Sequence, residues 1–233
     1  MPFELPLFPL NVVLFPGMRL PLHIFEPRYR LMIRRCLDHD RTFGVALIAE
    51  GEEGQPGTVP AATGCAAEIV EFAPLEDGRM NLQTVGRRRF RVLALREEDD
   101  YLIGTVEWLD DDLDGSESEE LAQRVGHSLR RYLLSLARNI NLSDVDLDDL
   151  EMPDDPYDLS MMVAALITLT RPNEEKQALL ELTSTTARLK LELNLLRRSE
   201  VIQQAFARRV ASGLGEPPHD ESLGPLAPHV SLN

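Results

Sequence analysis

Residues Leu5–Leu37 read LPLFPLNVVLFPGMRLPLHIFEPRYRLMIRRCL, and this stretch decides the fold. Five prolines (Pro6, Pro9, Pro16, Pro21 and Pro27) divide short apolar runs before the pattern turns into a basic amphipathic helix. Proline has no amide proton to give to a ladder, so it belongs on edge strands, at strand starts or at bulges. Such punctuation predicts short strands with tight corners, as in a small barrel, in place of long central strands. Arg19–Ile24 alternates, with Leu20, Leu22 and Ile24 on one face. Pro27 then opens a helix to about His39, with Tyr29, Met32, Ile33 and Cys36 along one side.

Beyond that helix the chain stays strand-rich to about residue 109. Phe43–Ala49, Cys65–Phe72, Met80–Val85, Phe90–Leu95 and Leu102–Leu109 follow at short intervals, with Gly51–Pro60 as a loop. Asp77-Gly78 is a hairpin turn between two of these runs. At Asp110–Glu120 the composition changes to an acidic, solvated linker in which Ser116 and Glu119 have capping-box spacing. Leu121, Val125, Leu129, Tyr132, Leu133 and Leu136 then recur at helical intervals. After an acidic, irregular stretch, Asp155-Pro156 starts a short apolar helix, which Arg171-Pro172 interrupts. Asn173 is placed to cap the next helix, and a long one runs from about Ser184 to Ser212, stopped by Gly213. The expected division is a barrel lobe over 1–115, a helical lobe over 116–213 and a mobile tail over 214–233.

Net charge bounds the partners. At a formal −15 over 233 residues, the chain is a poor general ligand for phosphate backbones, which are held by Lys and Arg. No apolar run approaches the ~20 residues that cross a bilayer, and the proline-broken N-terminus lacks a signal peptide's basic region. A cytoplasmic protein without membrane contact is expected. Cys36 and Cys65, the two cysteines, form no CxxC pair and read as buried free thiols.

LPLFPLNVVLFPG followed by LPLHIFEPRYR resembles the opening of the N-terminal domain of Lon proteases. The likeness continues through GCAAEIVEF (Gly64–Phe72), GRRRFRV (Gly86–Val92) and EEKQALLEL (Glu174–Leu182) to about Ala211. It implies an α+β chain: a PUA-like small β-barrel of about six strands, then a helical bundle with a long C-terminal helix. It also implies a part in substrate recognition. A Lon protease further needs a GxxxxGK[ST] phosphate loop and a Ser–Lys dyad. The only lysines are Lys176 and Lys190, neither after a glycine-rich loop, and Asp114-Gly115-Ser116 belongs to the linker. The expectation is therefore a stand-alone, non-catalytic module without cofactor, recognising unfolded or exposed protein segments as a substrate-recognition or adaptor protein. An ATP-dependent protease or chaperone acting in trans is the second expected partner. The competing readings are a nucleic-acid-binding PUA-like protein and an accessory subunit of such a protease.

Other chemistry is sparse. The five histidines (His23, His39, His127, His219 and His229) are scattered, which disfavours zinc. Asp110–Asp114 lacks the glycine and closing glutamate of a calcium loop. An extended segment has two physical routes onto such a module: addition to an exposed strand, or entry of apolar side chains between barrel and helices. Phe15, Met18, Phe25, Arg28 and Tyr29 are the candidate binding residues. The bland alternative is that Tyr29 packs inward while Arg28 pairs with Glu26. Arg87–Arg91 reads as a strand edge kept soluble by charge, in preference to an anion site.

Overall fold

Leu7 explains the prolines around it. In the computed structural model β1 (Phe3–Leu10) runs parallel to β3 (Thr42–Glu50) over Leu7–Leu10 and antiparallel to β6 (Tyr101–Trp108) over Phe3–Leu7. Leu7 alone has both neighbours; Pro6 has only β6 beside it and Pro9 only β3. Each proline can thus turn its missing donor away from a ladder. Residues 1–53, 55, 57–112, 115–139, 151–167 and 171–211 are described, with side chains for all of these except 138–139 and 199–211. The expected tail and the Gly213 stop lie outside them.

The remaining strands are β2 (Arg19–Ile24), β4 (Val59–Pro74) and β5 (Met80–Glu98), and α1 (Pro27–Leu37) follows β2. The six strands form one mixed sheet in the order β2-β5-β4-β3-β1-β6, and β6 also pairs with β5. The pairing β5-β4-β3-β1-β6 therefore returns to β5, and β2 hangs outside it. Phe90 and Leu7 are fully buried in the resulting space. A side chain at Gly44 would sit 2.6 Å from Leu7 Cδ2 and 2.8 Å from Phe90 Cζ, so the absence of one there lets the interior close.

The strands are short, as expected, in β1, β2, β3 and β6, with 8, 6, 9 and 8 residues, and long in the other two. β4 has 16 residues and β5 has 19. The expected separate runs Met80–Val85 and Phe90–Leu95 are one strand that bends at register shifts, opposite Ala66/Ala67 and between Val92 and Ala94. Bulges supply the corners that prolines were expected to make. At Leu75–Arg79 the hairpin turn is as read: Gly78 has φ +81° and Asp77 Oδ1 accepts from the Arg79 amide.

Four helices follow: α2 (Ser116–Asn139), α3 (Pro156–Ile167), α4 (Asn173–Glu181) and α5 (Thr185–Ala211). Asp155 caps α3, its Oδ1 accepting from the Tyr157 and Asp158 amides at 2.9 and 3.0 Å. Asn173 is no cap. It is the first residue of α4, behind Pro172, and its amide nitrogen reaches the Asn11 carbonyl at 3.0 Å, tying the helices to the end of β1. In the first turn of α2, Ser118 gives both its amide and its hydroxyl to the Gly115 carbonyl.

One core lies under α1, where Tyr29, Met32, Ile33 and Cys36 meet Phe8, Phe43, Ile69 and Leu82. A second joins the inward-facing residues of the helices (Val125, Leu129, Val163, Leu189 and Leu196) to Val13 and Phe15 from the β1–β2 connection. That second core fixes the helices on the strands.

Candidate functional site

The Phe15-Pro16-Gly17-Met18 segment is a type II turn. Met18 donates its amide to the Phe15 carbonyl at 3.1 Å, proline occupies the second position, and glycine takes φ +80° at the third. Two further bonds fasten the turn to the middle of β5, from the Gly17 amide to the Gly86 carbonyl at 2.8 Å and from the Gly86 amide to the Met18 carbonyl at 2.9 Å. Across from it stands α3. Between them opens a groove of about 680 Å³, with Met18, Met161, Met162, Ala165 and Leu166 on its walls and Arg19, Arg87 and Asp158 at its rim. Methionine suits such a surface because its flexible, polarisable side chain moulds to different shapes.

Behind the groove is a buried ionic cluster that holds its two walls in register. Arg89 of β5 and Arg188 of α5 have no exposed surface. Arg89 donates to the Leu180 and Leu182 carbonyls at 2.6 Å each, and to Asp111 Oδ1. Arg188 donates to Asp111 Oδ2 at 2.6 Å, to the Leu182 carbonyl at 2.9 Å and to Ser160 Oγ at 2.7 Å. Both guanidinium groups face the Tyr157 ring, at 5.8 and 5.4 Å from its centroid. The cations also occupy the C-terminal end of α4, where carbonyls collect negative charge. So the arginine run puts its charge at the surface only in part: Arg87, Arg88 and Arg91 are exposed, and Arg89 is not. β5 has neighbours on both sides here, and the helices cover the face from which Arg89 projects. Nor is the acidic linker wholly solvated, since Asp111 is enclosed by the two arginines.

Ser160 passes the network on, donating to Glu192 Oε1 at 2.8 Å. Glu192 is fully buried and its Oε2 has no hydrogen-bond partner among the described residues. Burial pushes its pKa well above the ordinary carboxylate range, against the Ser160 hydrogen bond and the Arg188 charge, which pull it down. A carboxyl that titrates higher in the folded chain than in the unfolded one contributes stability below the unfolded pKa and loses it as pH rises through the folded value. Glu192→Gln keeps an acceptor for Ser160 and removes that loss. The expected result is a melting temperature close to wild type at pH 4, with the variant increasingly the more stable toward pH 8. A variant that grows less stable with pH instead would assign Glu192 an ion-pair role with Arg188.

The five candidate residues do not converge. Phe15 is completely buried in the helical core, and Tyr29 is nearly so, its ring 4.1 Å from that of Phe8. Each fills the core that fixes its own corner, and Tyr29 shows only an edge, to a small cavity of about 90 Å³ that it lines with Arg28. Arg28 braces that corner, 2.8 Å from Glu26 and 4.6 Å above the Tyr29 ring. Phe25 is 60% exposed, just past the end of β2 and stacked beside His23. Only Met18 lies in the groove. The groove's other wall, α3, was legible as an apolar helix but not as a partner of the Pro16-Gly17 turn. Arg188 and Glu192 did carry a signal: a charged pair four apart beside the Leu189, Leu193 and Leu196 stripe of α5.

Cys36 and Cys65 are buried free thiols whose pKa values burial pushes up to about 12. Among the described residues, no three His, Cys, Asp or Glu side chains are placed to share a metal ion, and no helix is long and apolar enough to cross a membrane.

Comparison with known proteins bears on the same chain. The model of the ATP-dependent protease La (LON) substrate-binding domain matches residues 4–198. Lon protease 2 of Myxococcus xanthus is 32% identical over 204 residues, covering 86% of this chain and 24% of that protein. Lon protease of Escherichia coli K12 is 26% identical over 209 residues, covering 89% and 26%. The chain thus spans about a quarter of the length of the curated relatives it matches. A crystal structure of a Lon N-terminal domain protein from Xanthomonas campestris, 31% identical, superposes with a TM-score of 0.59 over 82% of this chain and 98% of its own. The N-terminal domain of Mycobacterium avium complex Lon protease, at 17% identity, has the same fold, with a TM-score of 0.63 over 84% of this chain and 98% of its own. With its groove and strand order in place, the chain belongs to the Lon substrate-binding domain family.

Proposed function

We propose that this chain recognises protein segments by taking their apolar side chains into the groove between the Pro16–Arg19 turn and α3. The family supports a substrate-recognition role, and the matched domain is a non-catalytic one. The observation that carries the reading is the methionine-walled groove itself. Its volume of about 680 Å³ falls in the usual range for ligand sites, ~300–1,000 Å³. The closed strand order supports a PUA-like barrel over 1–115, with a helical lobe over 116–213 in which α3 supplies the groove's second wall. On this reading the protein works in the cytoplasm as a recognition or adaptor module, delivering segments to an ATP-dependent protease in trans.

Of the two routes onto the module, strand addition is the poorer. The Leu20 carbonyl accepts from Thr84 Oγ1 of β5, so the alternate residue Pro21 faces the free edge of β2, where it offers no donor. The groove keeps the apolar route open. Met162 is half-buried on its wall, and replacing it by Glu leaves the helix core in place. Fluorescence anisotropy with a labelled Phe/Leu-rich peptide is expected to show Met162→Glu binding ~10- to 100-fold more weakly, the worth of one buried apolar side chain. Unchanged affinity in a folded variant would remove the groove from the function.

A further inference from the structure

The groove is not closed at the Tyr157 end. Arg87 and Tyr157 line it and also line a second cleft of about 750 Å³, which contains Asp110, Asp112, Glu119 and Asp155. Glu119, Asp155 and Pro156 in turn belong to a third cavity of about 1190 Å³, bordered by Glu151 and Asp154 and, farther along α2, by His127 and Arg130. An apolar groove thus runs into a trough along the first half of α2 and the N-terminal end of α3, acidic where it meets the groove. Most cations near the junction are already engaged: Arg88 by Asp110 at 2.7 Å, Arg87 by Glu68, Arg89 and Arg188 by Asp111, and Arg130 by a contact of its own, while Arg19 stands on the opposite wall of the groove from Asp158. Glu119, Asp154 and Asp158 have no ion-pair partner among the described residues. Asp158, on the groove's own rim, titrates above the ordinary aspartate range because it is partly buried and because Asp155 stands beside it. Two neighbouring carboxylates without a cation are an arrangement that an arriving positive charge relieves.

We infer that the segment this protein takes is apolar at its anchor and basic in its flank: one or two large apolar side chains enter between Met18, Met161 and Met162, while Lys or Arg residues next to them lie over Asp158, Asp155, Glu119 and Asp154. This rests on the groove reading above and adds to it the charge of the substrate. The formal −15 of the whole chain acts in the same direction at long range, drawing basic segments toward the protein and holding acidic ones away. Apolar burial supplies the affinity and the trough supplies the choice.

The test uses three labelled peptides with the same Phe/Leu core, flanked by Lys, Ser or Glu, titrated against the full chain by fluorescence anisotropy at 50 and 300 mM NaCl. The Lys-flanked peptide is expected to bind about tenfold more tightly than the Glu-flanked one at low salt. The difference should shrink at high salt, as exposed charges are screened. The double variant Glu119→Lys/Asp154→Lys should lose the Lys preference and bind the Ser-flanked peptide as before. Equal or reversed flank preference, with binding still lost in Met162→Glu, overturns the charge inference and leaves the groove standing. If none of the three peptides binds, the groove reading falls and the inference with it.

Discussion

Arg89→Leu is expected to be the most damaging single substitution at the junction of strands and helices, costing about 3–5 kcal/mol. Arg89 is fully buried and donates to three acceptors, the carbonyls of Leu180 and Leu182 and the carboxylate of Asp111. Removing it leaves the Leu180 carbonyl orphaned and Asp111 enclosed with one cation in place of two. In a chain of this size that corresponds to a fall of about 10 °C in melting temperature. Arg88→Leu is the internal control. Its side chain is 48% exposed and its pair with Asp110 lies at the surface, so its loss should cost less than ~1 kcal/mol. Arg89→Lys should recover little, since one ammonium cannot span acceptors laid out for a planar fork. Equal melting temperatures for the Arg88 and Arg89 variants would mean that the cluster contributes nothing to holding the lobes together.

That contrast between neighbours also marks where the sequence stops being legible. The element order, the α1 face and the Asp77-Gly78 turn could be read from proline spacing, period and turn chemistry, because each depends on residues close in the chain. Arg87-Arg88-Arg89-Phe90 could not. An alternating strand at a sheet edge would send charge to water, as Arg87, Arg88 and Arg91 do, and that reading fails at Arg89 because the helices cover the face from which it projects. At that point Phe90 fills the space between the strands, and Arg89 points the other way, into the helices. Nothing local distinguishes it from Arg88. The distinction is made by Asp111, Ser160 and Arg188, which arrive from the linker and two helices.

The candidate binding residues are dispersed for a related reason. Phe15, Phe25 and Tyr29 are aromatic residues in one motif, yet they occupy the helical core, an exposed corner and the core under α1. A motif that turns corners disperses its side chains. Met18 reached the groove because the turn carrying it is bolted to β5, and the second wall comes from a helix far along the chain, beyond all six strands. A groove built between strands and helices is long-range by construction. The chain's local pattern specifies each wall and leaves their meeting to the tertiary packing.

Gly86 is where that meeting is most tightly constrained, and Gly86→Ala tests it. A Cβ at this position would run into the Phe15 carbonyl oxygen and stand 3.1 Å from Cys65 Sγ. The first of these is backbone, held by the Met18 amide and by a core side chain, so it has little freedom to withdraw. Overpacking of this kind costs ~1–3 kcal/mol. The turn must tilt away from β5 or surrender one of the two Gly17–Gly86–Met18 bonds, and either response moves Met18 in the groove. Thermal denaturation should therefore show a loss of stability, and peptide affinity should fall in the fraction that remains folded. Gly115→Ala is the matching control, because a Cβ there meets nothing within 4 Å, and its effect should stay within ~0.5 kcal/mol. A Gly86→Ala protein that keeps wild-type stability and affinity would show that the turn is free to shift, and that the groove is shaped by α3 alone.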